Sequence, residues 1–215
     1  MSHPDLAFFA PEISTSVRSI CVRQLLRLGS SIVLRLAPGW SARQAVRRFI
    51  TPPKIPHTVA ELAALKYARS LPISTPAGKL ACWQFGASHH PAIIASHGWG
   101  GRGAQFREFV PALLDAGFQV WLYDHIGHGL SDGSEAPIND MSQGLHHLMA
   151  TLESEGLVVA GLIGHSLGAT VINLALSRQK KNARALRVVQ IAPPASMLAY
   201  TSFFAHQFGL PERLR

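Results

Sequence analysis

The chain has 215 residues, 47% of them hydrophobic and 15% charged, with a formal net charge of +8. That length suits one domain, and so large an apolar fraction fills a core, which excludes a mainly disordered chain. Two cysteines, Cys21 and Cys82, cannot build a disulfide framework and lack zinc-ligand spacing, so they read as free thiols.

The charge is unevenly placed. Residues 1–56 carry eight Lys or Arg against Asp5 and Glu12, residues 57–175 carry five against nine acidic side chains, and residues 176–215 carry seven against Glu212. Two basic flanks enclose an acidic middle and no nucleic-acid module is recognisable, so nucleic acid is not an expected partner. The first twelve residues hold no Lys or Arg and no sustained apolar run, and no stretch approaches about 18 apolar residues. A cytoplasmic protein is expected.

Residues 14–37 form the first periodic segment. Val22, Leu25, Leu26, Gly29, Ile32, Val33 and Leu36 follow helical spacing, with Ser19, Arg23, Arg27 and Ser30 opposite. Pro38-Gly39 is read as its stop. Such a basic amphipathic helix either docks its stripe on the main domain or lies against an anionic membrane surface. Docking is favoured, because Arg18 interrupts the apolar face and Leu34 the polar one. Arg43, Arg47 and Arg48 prolong the basic region, and Thr51–Pro56 predicts an extended linker. Residues 1–64 are thus expected to be a basic extension.

From about Leu65 the pattern becomes strands alternating with helices. Tyr67–Ser74 and Lys79–Phe85 read as strands around the turn Thr75-Pro76-Ala77-Gly78, and Ala92–Ser96 as a buried strand. A helix is expected over Ala104–Ala116 and a strand over Gln119–Tyr123. Asp140, with Gln143 three residues on, predicts a helix start whose buried stripe is Met141, Leu145, Leu148, Met149 and Leu152. Leu157–Ile163 is almost wholly apolar, as a strand covered on both faces should be. A helix to about Gln179 and a strand over Leu186–Ala192 complete an α/β pattern with a mostly parallel sheet over residues 65–192.

Three glycine-rich loops follow three of these strands, at the ends where open α/β sheets place their ligands. Gly164-His165-Ser166-Leu167-Gly168 is a G-x-S-x-G between an apolar strand and a helix. In such an elbow the serine hydroxyl is pushed into the open, and glycines on either side permit close approach. His97-Gly98-Trp99-Gly100-Gly101 follows an earlier strand. Acyl transfer needs two preorganised N–H donors for an oxyanion, and the candidates are the backbone groups of Trp99 and Leu167. The His97 imidazole is read as bonded to backbone and not as a proton carrier. The third loop is Asp124-His125-Ile126-Gly127-His128-Gly129-Leu130-Ser131.

An H-G-x-x-G loop, a D-x-x-G-H-G-x-S loop and a G-H-S-x-G elbow, in that order, resemble the α/β-hydrolase fold family. The resemblance is strongest to its serine esterases and its lysophospholipase-like and monoacylglycerol-lipase-like enzymes, and it covers about Tyr67–Ala192. It implies a Ser166 nucleophile, a small acyl-ester substrate and no metal or cofactor. It also implies that Asp124 and His128 organise their loop, and that His165 is a buried packing residue. Residues 193–215 resemble the start of a cap.

A serine needs a base, and the base an orienting acid, and the family places both after the nucleophile. Beyond Ser166 the chain has no Asp, one Glu (Glu212) and one His (His206), in the wrong order. His146 and His147 fall on a helix expected to pack on the outer face of the sheet. The expectation is therefore a serine hydrolase truncated before its acid and base, and inactive as it stands. The alternative is a non-catalytic relative that binds a ligand or partner. The first is favoured because neither the elbow nor the oxyanion loop carries a damaging substitution. Residues 186–192 are also expected to form an apolar sheet edge open to self-association.

Overall fold

The structure, a computed structural model, describes residues 38–178 and 186–196. The helix expected over 14–37, Cys21, His206, Glu212 and most of the expected cap lie outside them.

Helix α1 spans Pro38–Ile50. Pro38-Gly39 opens this helix, where a first-turn proline leaves no intrahelical bond unmade, and whether it also ends the helix expected before it lies outside the described residues. Arg47 and Arg48 fall in its last turn, where cations face the carbonyl end of the helix dipole. Residues 51–58 are neither helix nor strand, as expected, but Pro52 is buried. Helix α2, Val59–Leu65, then follows in a stretch to which no element of its own was assigned. Its start is a capping box in which Thr58 Oγ1 accepts the Glu61 N–H at 3.2 Å and Glu61 Oε2 accepts the Thr58 N–H at 2.7 Å.

The two expected strands after residue 65 are four. Strands β1 (Arg69–Ser70) and β2 (Ile73–Thr75) replace the first, and β3 (Gly78–Leu80) and β4 (Cys82–Phe85) the second. The second pair breaks at Ala81, whose N–H goes to Ser131 Oγ and whose carbonyl takes the Asp124 N–H, both 2.9 Å. β2 and β3 form a separate hairpin about Pro76-Ala77. Strand β5 is Ala92–Ser96 and β6 is Gln119–Tyr123, as expected. Between them the helical stretch is a 3₁₀ segment, Gly103–Phe109, followed by a short helix α3, Val110–Asp115.

Helix α4 is Ile138–Ser154, so Asp140 sits within its first turn and does not cap it. An acid there still favours the N-terminal dipole end. Its five expected stripe residues are all buried. Strand β7 is Val159–His165, helix α5 is Leu167–Leu176 and strand β8 is Arg187–Ile191. Among the described residues the main sheet has the order β1-β4-β6-β5-β7-β8. β5, β6, β7 and β8 are parallel to one another, while β4 is antiparallel to β6 and to β1.

Both faces of this sheet are covered. Along β6, Val120 and Leu122 join a cluster with Phe85, Ile93, Phe106 and Val110, while Trp121 and Tyr123 join one with Leu145, Leu148, Leu162 and Ile172. Successive side chains of a strand point to opposite faces, so this alternation is what a two-sided core requires. Cys82 is fully buried and its thiol is pushed up to about 12 by that burial. β8 closes one end of the sheet with Val188 and Val189 exposed at 37% and 54%.

Candidate active site

β7 runs directly into Ser166, and α5 starts at the next residue. Ser166 has φ +51° and ψ −123°, a conformation that a side chain with a Cβ adopts only under constraint. The constraint is visible on both sides. A Cβ on Gly164 would lie 2.7 Å from Ala169 Cα, and one on Gly168 would be driven into the Ser96 carbonyl and lie 2.6 Å from that of His97. The Ser166 N–H is held by the Ile191 carbonyl at 2.9 Å, which ties the turn to β8. The serine is half-buried, and its hydroxyl makes no hydrogen bond among the described residues.

The loop after β5 lies against this turn. A Cβ on Gly98 would stand 3.1 Å from Ser166 Cβ and 3.3 Å from the His165 carbonyl, so only glycine lets the two backbones approach. Gly101 N–H donates to the Gly98 carbonyl at 3.0 Å and Gly100 has φ +67°. These features define a tight turn with Trp99 at its second position, and among the described residues no acceptor takes the Trp99 N–H. Leu167, in the first turn of α5, has no carbonyl one helical turn behind it to receive its N–H.

The loop after β6 is held by Asp124. Its Oδ1 accepts the Gly103 N–H at 2.7 Å and its Oδ2 accepts the Leu130 N–H at 2.8 Å, while Ser131 Oγ donates to its carbonyl at 2.6 Å. Burial raises the Asp124 carboxyl above the usual carboxylate range, with the two N–H donors opposing.

Three imidazoles fill the space beneath. His97 Nδ1 donates to the Gly98 carbonyl at 2.8 Å, and its Nε2 accepts the His125 N–H at 3.0 Å. His128 Nδ1 donates to the Ile126 carbonyl at 3.1 Å, and its Nε2 accepts the Gly100 N–H, also at 3.1 Å. The His97 and His128 rings therefore each serve as one donor and one acceptor, which requires the neutral form. Burial pushes His97 down to about 3 and His125 well below the ordinary imidazole range, with His128 lowered as well.

The sequence-predicted residues thus come together in two layers. Ser166, Leu167, Trp99, Gly98, Gly164 and Gly168 form the upper one, and His97, Asp124 and His128 brace it from below. His165 corrects an expectation: it is exposed, although it is still paired with Ile191 at the end of β7. His146 and His147 are half-buried on α4. No group of three or more His, Cys, Asp or Glu suited to a metal occurs among the described residues, and no helix there is long and apolar enough to cross a membrane.

Sequence reasoning missed the segment 50–61, which touches both loops. The Thr58-x-x-Glu61 box was its one local signal.

A family model described as serine aminopeptidase, S33, matches residues 87–208, a span that contains all three loops. A monoglyceride lipase homolog of monkeypox virus is 32% identical over 87 residues, covering 39% of this chain and 32% of that protein. Epoxide hydrolase A of Mycobacterium tuberculosis is 29% identical over 139 residues, 64% of this chain and 43% of that protein. An esterase structure from Pyrococcus furiosus superposes with a TM-score of 0.60 at 24% identity, over 77% of this chain and 65% of that one, a likeness of fold. The chain spans less than half the length of these two curated relatives.

Proposed function

For this chain, which belongs to the serine aminopeptidase S33 family and has its α/β-hydrolase fold, we propose that it holds the nucleophile and oxyanion site of a carboxylic-ester hydrolase. Ser166 Oγ attacks the ester carbonyl carbon, its proton passes to a base, and the tetrahedral oxyanion is held by the Trp99 and Leu167 N–H groups. Collapse releases the alcohol, and water then cleaves the acyl-serine. Lipase and esterase relatives support a small acyl ester as substrate.

One observation carries the reading. Ser166 is held at φ +51° at the end of a central strand, with glycine-only clearance from Gly98 and Gly168. Nothing in ordinary packing favours that arrangement, whereas presenting a hydroxyl beside free N–H donors needs it. Asp124, His97 and His128 keep the donors in place and carry no proton in the reaction.

Because Ser166 has no imidazole bonded to it among the described residues, turnover by the chain alone is expected to stay near background. Exogenous imidazole should stand in for the base. The test is hydrolysis of a short-chain chromogenic ester across an imidazole series, with wild type and Ser166→Ala side by side. Stimulation beyond that of free imidazole, lost in Ser166→Ala, is expected. Equal stimulation in both proteins would refute the nucleophile, and fast turnover without imidazole, abolished by Ser166→Ala, would refute the expected inactivity.

A further inference from the structure

Helix α2 buries a charge beside an apolar anchor. Leu65 is 8% exposed in the core with Trp83 and Phe85, and one turn back on the same face Glu61 is only 2% exposed, while Val59 at 86% and Leu62 at 45% face outward. What Glu61 meets inside is Arg102, 6% exposed, whose Nε donates to Glu61 Oε2 at 2.6 Å. The same carboxylate accepts the Thr58 N–H at 2.7 Å and the Thr58 hydroxyl at 3.1 Å. The ion pair and Leu65 thus share the buried face of α2. Burying such a pair adds little net stability, since desolvation offsets much of the attraction. Its distinctive contribution is geometric.

The rest of the preceding segment follows the same course. The Ile50 carbonyl accepts the Ala136 N–H at 2.7 Å. Pro53 lies on Gly100, where an added Cβ would come within 2.9 Å of its Cγ. The His57 ring packs edge-on against Trp83, with Nε2 3.6 Å from Asp124 Oδ2. Apart from Trp83, which lies in β4, each partner belongs to the loop after β5 or the loop after β6. Arg102 ends the turn that carries Trp99, and the next residue donates its N–H to Asp124. The Trp99 turn is therefore clamped by His97 at one end, by Arg102 at the other, and by Pro53 from above.

We propose that residues 50–61 form a strap that sets the oxyanion loop, with Glu61 as a positioning residue acting through Arg102. The proposal rests on the reading of the Trp99 N–H as an oxyanion donor. Glu61 touches neither substrate nor Ser166; it fixes where the Trp99 N–H points.

The test compares Glu61→Gln, Arg102→Met and the apolar double variant Glu61→Leu/Arg102→Met in the full chain. Two readouts are taken: amide hydrogen exchange of residues 98–103 against β5 and β7, and the imidazole-supported ester rate. Exchange in 98–103 should quicken about tenfold while β5 and β7 stay protected. The rescued rate constant should fall about tenfold to a hundredfold with KM within about twofold, as for a misplaced transition-state donor. The double variant buries no unpaired charge and should fold even where a single variant does not. An unchanged 98–103 segment in folded variants, or exchange rising equally throughout β7, would overturn the strap. So would failure of all three variants to fold, because a positioning contact must be separable from folding. If wild type shows no Ser166-dependent rate, the hydrolase reading falls, and the exchange readout still decides the strap.

Discussion

Replacing Ser166 by glycine should stabilise this protein relative to replacing it by alanine. Both changes remove the hydroxyl, so they differ only in the Cβ. At φ +51° and ψ −123° a Cβ costs about 1–3 kcal/mol, and glycine escapes that cost. Glycine gives back roughly 0.5–1 kcal/mol through the greater freedom of its unfolded chain. The Ser166 side chain is only half-buried, so lost packing is small and common to both variants. The net expectation is that Ser166→Gly exceeds Ser166→Ala by about 0.5–2 kcal/mol, or roughly 1–8 °C in Tm for a body of this size. Urea unfolding followed by far-ultraviolet circular dichroism, with calorimetry beside it, measures the difference. If alanine proves as stable as glycine or more so, the turn is not strained, and the argument that it exists to present a hydroxyl fails.

Gly168→Ala should be severe, at least about 3 kcal/mol, because its Cβ would meet the carbonyls of Ser96 and His97, which are backbone and cannot rotate away. Gly156→Ala is the control: nothing lies within 4 Å and only its φ of +81° resists, so about 1 kcal/mol is expected from the same unfolding curves. A third expectation concerns pH. His97, His125 and His128 have folded pKa values below the ordinary 6.5, so the unfolded chain binds protons that the folded one refuses. Stability is then greatest above about pH 6.5 and falls as pH drops below it, by about 1 kcal/mol between 6.5 and 5.5 for each imidazole that the fold keeps neutral. The raised Asp124 carboxyl opposes part of that loss at lower pH. Urea midpoints at pH 7.5, 6.5 and 5.5 measure the slope, and a flat profile would mean that the imidazoles are not held neutral.

The strands that carry the three loops were legible because they are continuous apolar runs, and a strand covered on both faces has no other composition available. The α4 stripe was legible because Met141, Leu145, Leu148, Met149 and Leu152 repeat at helical spacing. Ser166 and its glycines were legible from their spacing only together with the apolar strand before them and the helix after, since backbone crowding around such an elbow leaves few other residues admissible. What sequence could not reveal depends on distant partners. Ala81 splits a strand because Ser131, fifty residues on, takes its N–H. The α2 helix can bury its glutamate because of an arginine forty-one residues later. Periodicity reports apolar faces, so it gives no sign of a buried charge beside Leu65. His165 misled because its place beside Ser166 suggests burial, but its side chain is exposed at the end of β7.

The strap also sets an order of events in time. During synthesis residues 50–61 emerge first, but the groups they grip, Gly100, Arg102, Asp124 and Ala136, follow about forty to ninety residues later. At about 5–20 residues per second the Glu61 carboxylate stays in water for seconds before its guanidinium exists. The earliest part of the site to be made therefore waits unfastened for its partners, and the Ser166 turn waits longer still, for Ile191. A ribosome pausing between residues 61 and 102 would hold a nascent chain whose Glu61 has as yet no cation to be buried against.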